Sequence, residues 1–86
     1  MNEIDVFKAL GDSTRLRILE LIKNGERCIC EIIPKTGKSQ PTVSQHLRIL
    51  RQANLVEQRK EGTKIWIHAK DKQIYQIIKK IQGMKK

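Results

Sequence analysis

The sequence predicts a mainly α-helical domain that carries one β-hairpin. Apolar residues recur at helical spacing in four successive stretches, each beside a start or stop residue. After Leu55-Val56 the spacing changes to two, in paired runs around a glycine. Near the C-terminus the helical spacing returns. No repeat, low-complexity tract or Pro/Gly/Ser linker divides the chain, so residues 1–86 read as one domain.

Ile4, Val6, Phe7 and Leu10 make a short amphipathic first helix that Gly11 stops. Asp12 or Ser13 caps a second helix bearing Leu16, Ile18, Leu19, Leu21 and Ile22, and Asn24-Gly25 ends it. Residues 28–36 form a short, apolar, helical element before a turn at Gly37-Lys38. Ser39 or Gln40 opens a longer helix running to about Ala53. Pro41 falls in its first turn, where the missing N–H has no intrahelical acceptor to serve. Val43, Leu47 and Leu50, with Ile49 alongside, form its inward stripe. Asn54 stops it. Residues 55–60 and 64–69 are extended runs around Glu61-Gly62-Thr63, a hairpin. Asp71 caps a last helix striped by Ile74, Ile77, Ile78 and Ile81. This order of elements is a winged helix-turn-helix.

Composition bounds the partners. The 86 residues carry 18 Lys and Arg against 9 Asp and Glu, a net charge of +9 that suits a polyanion. Aromatics at 3% argue against a single-strand platform of stacked rings. No apolar run approaches the roughly 20 residues that span a bilayer, and the acidic start lacks a signal peptide's basic-then-apolar order. The expectation is a soluble, cytoplasmic protein. No acid/base pair, phosphate-binding glycine loop or catalytic triad points to an enzyme; Glu3, Asp5 and Asp12 read as helix-start carboxylates.

Once Val43, Leu47 and Leu50 face inward, the fourth helix offers Ser39, Gln40, Thr42, Ser44, Gln45 and Arg48 to solvent. Amide, hydroxyl and guanidinium groups hydrogen-bond base edges and phosphates in the major groove. Ser44 and Gln45 stand where base reading occurs, and Arg48, deeper, suits a phosphate. His46 borders the apolar stripe and reads either as a histidine bonded to backbone or as a DNA contact. Arg59, Lys60 and Lys64 around Gly62 give the hairpin a basic tip for phosphates or the minor groove. Double-stranded DNA is the expected partner.

Cys28 and Cys30 are the only cysteines. In an intact helix, residues two apart point about 200° away from each other. In an extended or frayed segment they share a face and can chelate a soft, thiophilic ion. A local disulfide ranks below this because it is strained at this spacing, and two small buried hydrophobes are the alternative without a ligand. Arg27 and a nearby helix N-terminus favour the thiolate, while Glu26 and Glu31 oppose it. Pro34 would break a helix that begins at Cys28 or Ile29, so this helix must start late, kink or be loose at Cys30. Ligand binding there would rearrange the first helix of the DNA-reading unit.

Three stretches resemble the ArsR/SmtB family of winged-helix, metal-responsive transcriptional repressors. Leu10-Gly11-Asp12-Ser13-Thr14-Arg15-Leu16-Arg17-Ile18-Leu19 is similar to the family's second-helix signature. Cys28-Ile29-Cys30-Glu31-Ile32 resembles its thiol motif. Ser39-Gln40-Pro41-Thr42-Val43-Ser44-Gln45-His46-Leu47-Arg48 resembles its recognition helix, followed by Leu50-Arg51 and Leu55-Val56. The likeness runs from about residue 4 to residue 82.

The resemblance implies a homodimer joined by the first and last helices. Ile4, Phe7 and Leu10 with Ile74, Ile77, Ile78 and Ile81 are more apolar surface than a lone domain of this size readily buries. It also implies an operator released when As(III), Cd(II) or Zn(II) binds Cys28 and Cys30, with no obligatory cofactor. Two departures bear on that. Ile33 stands where arsenic-sensing members often place a third thiol, so two thiolates would need an outside ligand. Gln73 beside Asp71 stands where other members would want an imidazole, and no histidine follows His68, an outward strand residue; no metal site is expected there. The alternatives are a redox or sulfur-species sensor, or no sensor at all, on the same fold. A more distant one is a peripheral membrane protein using Lys72, Lys79, Lys80, Lys85 and Lys86 as a basic anchor.

Overall fold

The computed structural model describes residues 2–84. Lys85 and Lys86, the end of the basic stretch considered as a membrane anchor, lie outside them. Helix α1 spans Glu3–Leu10 and opens with a reciprocal cap: Asn2 Oδ1 accepts from the Asp5 amide at 3.1 Å while Asp5 Oδ2 accepts from the Asn2 amide at 3.3 Å. Gly11 ends it. Helix α2, Ser13–Leu21, starts from Asp12, whose Oδ2 accepts from the Arg15 amide at 3.1 Å. It stops at Ile22, ahead of Asn24-Gly25, and the chain turns through Gly25 at φ 152°.

A two-residue strand that periodicity does not predict follows: β1, Arg27–Cys28. Helix α3 then covers Ile29–Thr36 and closes on Gly37 in the left-handed region, φ 72°. A side chain at that φ is strained, which makes this turn a glycine position. Helix α4, Gln40–Gln52, is capped by Ser39 and holds Pro41 in its first turn. Asn54 ends the unit at φ 65°. Strands β2, Val56–Glu61, and β3, Lys64–Ala69, leave only Gly62 and Thr63 in the turn. Helix α5 covers Gln73–Gly83. Its N-cap is Lys72 rather than Asp71, whose Oδ1 accepts from the Gln73 amide at 2.9 Å.

The strands form one antiparallel sheet in the order β1-β3-β2. Ile67 faces Arg27 on one side and Gln58 on the other; Trp66 faces Cys28 and Arg59. Ile65, Ile67 and Ala69 join the core, so Lys64, Trp66 and His68 take the opposite face. Helices and sheet both feed the core: Ile18, Leu19 and Ile22 from α2 and its end, Ile32 from α3, Val43, Leu47 and Leu50 from α4, and Ile67 from β3. Each such side chain contributes about 1.5–3 kcal/mol by burial. Tyr75 pins α5 to α2 by donating its hydroxyl hydrogen to the Leu19 carbonyl, and burial pushes its pKa up to about 12. Among the described residues no helix is long and apolar enough to cross a membrane.

Candidate nucleic-acid interface and the cysteine pair

Helix α4 is positioned by one face and exposed on the other. Val43, Leu47 and Leu50 are 0% exposed. Gln40, Thr42, Ser44, Gln45 and Arg48 all stand exposed, as the spacing predicts. Ser39, also exposed, does a local job: its Oγ accepts from the Thr42 amide at 3.4 Å and donates to Thr42 Oγ1 at 3.0 Å. The cap thus organises the first turn of α4.

His46 is neither bonded to backbone nor fully open. Its Nδ1 lies 3.0 Å from Arg15 Nη1 and 3.7 Å from Asp12 Oδ2. A guanidinium only donates, so Nδ1 accepts and the ring proton sits on Nε2. Arg15 also donates to the Ala9 carbonyl at 2.6 Å and the Lys8 carbonyl at 3.2 Å. One guanidinium therefore satisfies the last carbonyls of α1 and a ring on α4. Asp12 completes the node, its carboxyl held below the ordinary range chiefly by the Arg15 amide. Sequence reading misses this node because Arg15 and His46 lie 31 residues apart.

The wing divides into an exposed tip and a tied root. Lys60 and Lys64 are exposed beside the Gly62-Thr63 turn, with Lys64 Nζ 6.0 Å from the centre of the Trp66 ring. Arg59, grouped with them on sequence grounds, is engaged within the protein. Both carboxylate oxygens of Glu26 accept from it, with Arg59 Nε to Oε2 at 3.3 Å, and Glu61 lies 3.5 Å away. Its guanidinium also sits 5.7 Å over the Trp66 ring. The pair pushes the Glu26 carboxyl down and the Arg59 guanidinium up, each mainly through their shared hydrogen bonds. His68, outward as expected, bonds Glu57 at 3.1 Å and stands 3.9 Å from Glu26. Arg51 on α4 donates to Gln58 Oε1 at 2.8 Å, fastening α4 to β2.

The cysteines meet because Cys28 is not helical. It ends β1 with φ −69° and ψ 143° and caps α3, its Sγ accepting from the Cys30 amide at 3.2 Å. Cys30 lies in the first turn, 5.1 Å away between Cα atoms, and the two are joined as a disulfide. Strain at this spacing places the bond below metal chelation in the sequence reading; the structure instead joins the two sulfurs, with Cys28 extended and Cys30 in the first helical turn. Cys28 is 3% exposed and Cys30 is exposed. The helix does not start late: it begins at Ile29, one of the two starts that Pro34 disfavours, and keeps Pro34 inside, so no N–H reaches back to the Cys30 carbonyl. Arg27 is occupied by the Leu21 carbonyl at 2.7 Å and Glu31 at 3.3 Å.

In the reduced form the donor set is two sulfurs. Among the described residues no group of three or more His, Cys, Asp or Glu side chains could hold a metal. A soft ion would therefore take two thiolates from this chain and its remaining ligand from elsewhere.

The terminal helices leave Ile4 at 57%, Phe7 at 62%, Ile77 at 48% and Ile81 at 47% exposure. Leu10 and Ile78 are half-buried against the core. Ile74, placed in the interface by its stripe, is 6% exposed and belongs to the protomer's own core. The stripe's period is continuous, but α5 tilts its first turn onto the domain.

Comparison with known proteins agrees with this architecture. Residues 12–58 match the family described as bacterial regulatory protein, arsR family. An uncharacterised helix-turn-helix transcriptional regulator of Methanocaldococcus jannaschii is 47% identical over 81 residues, covering 93% of this chain and 91% of that one. The arsenical resistance operon repressor of Escherichia coli is 42% identical over 66 residues, 76% of this chain; the match spans 55% of that protein's length. A cadmium resistance regulatory protein homologue of Staphylococcus aureus is 35% identical over 81 residues, 93% of this chain and 67% of that one. Among solved structures, a homodimeric winged helix-turn-helix DNA-binding domain of Mycobacterium bovis superposes with a TM-score of 0.84 at 33% identity, covering 94% of this chain and 75% of that one. These relatives are regulators of transcription rather than enzymes. The chain belongs to the ArsR family and is a winged helix-turn-helix transcriptional regulator.

Proposed function

We propose that the protein is a homodimeric repressor that reads operator DNA with α4 and is released when a thiophilic ion binds reduced Cys28 and Cys30. One observation carries the DNA reading. Helix α4 drives Val43, Leu47 and Leu50 to zero exposure and presents Gln40, Thr42, Ser44, Gln45 and Arg48 outward from a capped first turn. Ser44 and Gln45 take base edges; Gln40, Thr42, Arg48 and the cap at Ser39 face the backbone, and Lys60 and Lys64 at the wing tip take phosphates. Exposed Ile4, Phe7, Ile77 and Ile81 supply the apolar surface that a two-fold partner would cover. Two such helices would read half-sites about 34 Å apart.

Release follows from α3. Binding an ion draws both sulfurs to one centre at the start of a helix whose Cys30 carbonyl Pro34 leaves without its N–H partner. Rearranging that turn costs less than in an unbroken helix, and α3 packs against α4 together with α2 and β2. Arsenic and cadmium regulators among the relatives support an inducer of that class, As(III), Cd(II) or Zn(II).

The disulfide favours a second reading on the same residues. Two thiols lose two electrons and two protons to a hydroperoxide, which leaves as alcohol and water, and the resulting Cys28–Cys30 bond changes α3 in place of an ion.

A gel-shift titration tests both, using reduced, metal-free protein and the DNA upstream of its own coding region. The first reading predicts a complex released by arsenite, cadmium or zinc but not by a mild oxidant, with release lost in Cys28→Ser. Release by the oxidant alone supports the second. A complex that survives every addition, or a Cys28→Ser protein that still responds to the ion, sinks the cysteine-sensor reading.

A further inference from the structure

The outer face of the sheet carries an ion pair that DNA reading does not use. Glu26 precedes β1, and Arg59 sits on β2, the strand farthest from it in the order β1-β3-β2. Their side chains meet across β3, with Arg59 over Trp66. Trp66 is the cross-strand neighbour of both Cys28 and Arg59. Glu26 is two residues from Cys28. The wing root is thereby tied to the segment that holds the cysteines, over 33 residues of sequence.

We propose that Glu26 is a positioning residue for DNA binding: it clamps Arg59 at the wing root, withholds that charge from the phosphate backbone, and links the wing to the cysteine segment. This rests on the reading that the wing lies against DNA. The chemistry is a competition between a carboxylate and a phosphate for one bidentate guanidinium. The pair is part-exposed, with side chains at 47% and 32%, so it is weak enough for a polyanion to contest yet closes a definite geometry. Glu61, 3.5 Å from Arg59, reinforces the carboxylate side, and His68 Nδ1 stands 3.9 Å from Glu26 Oε2. Any rearrangement of residues 26–28 moves the clamp with it.

Salt dependence separates this from a merely structural ion pair. Fluorescence anisotropy would follow binding to a labelled random-sequence duplex of about 30 base pairs, long enough for a dimer. Freeing Arg59 by Glu26→Gln should steepen the log Kd against log salt slope by about 0.9 per protomer. It should also tighten binding at low salt by up to about fivefold per protomer. In an Arg59→Gln background the same Glu26→Gln step should vanish, a double-mutant cycle that isolates the pair. A step that persists in that background is a general charge effect and overturns the clamp. So does a Glu26→Gln protein with an unchanged slope, provided Lys60→Gln with Lys64→Gln flattens the slope. If that wing-tip variant leaves the slope unchanged as well, the wing reading and the clamp fall together.

Discussion

The outward face of α4 and the outward face of the sheet are both polar, but they are built for different tasks. On α4 the internal side-chain bonds lie at the Ser39–Thr42 cap, at the His46 node and at Arg51, which reaches Gln58, while Ser44, Gln45 and Arg48 extend into solvent. On the sheet, Glu26, Arg59, Glu57 and His68 are paired with one another around Trp66. A surface that must recognise another molecule leaves its donors and acceptors unspent. The sheet face pairs its charged groups internally, while Trp66 Nε1 and His68 Nδ1 are buried with no hydrogen-bond partner. Charge alone does not separate the two: Arg59 and Lys60 are neighbours in sequence and fall on opposite sides of that division.

Substitutions can probe this division at several points. The largest effect is expected where the two faces share a foundation. Leu47→Ala should cost about 2–5 kcal/mol in urea unfolding, because a 0% exposed side chain leaves a cavity under α4. A loss below about 1 kcal/mol would mean that α4 is not anchored by its inner stripe.

Next comes the outer face itself. Ser44→Ala with Gln45→Ala should weaken operator binding by about 1–3 kcal/mol for each base whose hydrogen bonds are removed. Stability should stay within about 0.5 kcal/mol, as for surface substitutions elsewhere. A footprint unchanged from the parent protein would take base reading away from these two residues. Ser39→Ala should cost about 1 kcal/mol of stability by removing the cap, and thermal melts would register it.

The smallest effect is a pH dependence at the α1–α2–α4 node. The folded Asp12 carboxyl is depressed, mainly by the Arg15 amide. Its contribution is therefore present at neutral pH and down to the ordinary carboxylate value near about 4, and is lost as pH falls through the depressed value. Asp12→Asn keeps a capping side chain and removes the titration, so its stability should fall less steeply below about pH 4 than the parent's. Parallel acid curves would mean that Asp12 does not couple the node to pH.

What was legible in the sequence was local. Asp12, Gly37, Ser39 and Asn54 each mark a boundary through a cap or a positive φ, chemistry that acts within a turn or so of the chain. The inward stripe of α4 and its exposed outer face follow from one period. The paired lysines at the wing tip follow from a turn.

The rest depends on partners far apart in the chain. Strand β1 has two residues and exists because Cys28 pairs with Trp66, which no window around Cys28 contains. Ile74 belongs to an unbroken stripe, and only the seating of α5 on the domain turns it inward. Arg59 reads as a free cation until Glu26 is brought across the sheet. The disulfide has the same origin: the spacing of two argues against it in a helix, and the sheet makes residue 28 extended.

If α4 and the wing tip form the DNA-facing surface, the terminal helices should take no part in it. A ¹⁵N amide chemical-shift map of the reduced protein, recorded as an upstream duplex is added, examines both surfaces in one titration. The largest shifts are expected on residues 39–48 and 60–64, with α1 and α5 close to their free positions. Shifts concentrated on Lys72, Lys79 and Lys80 at and within α5, with Ser44 and Gln45 unmoved, would contradict that assignment.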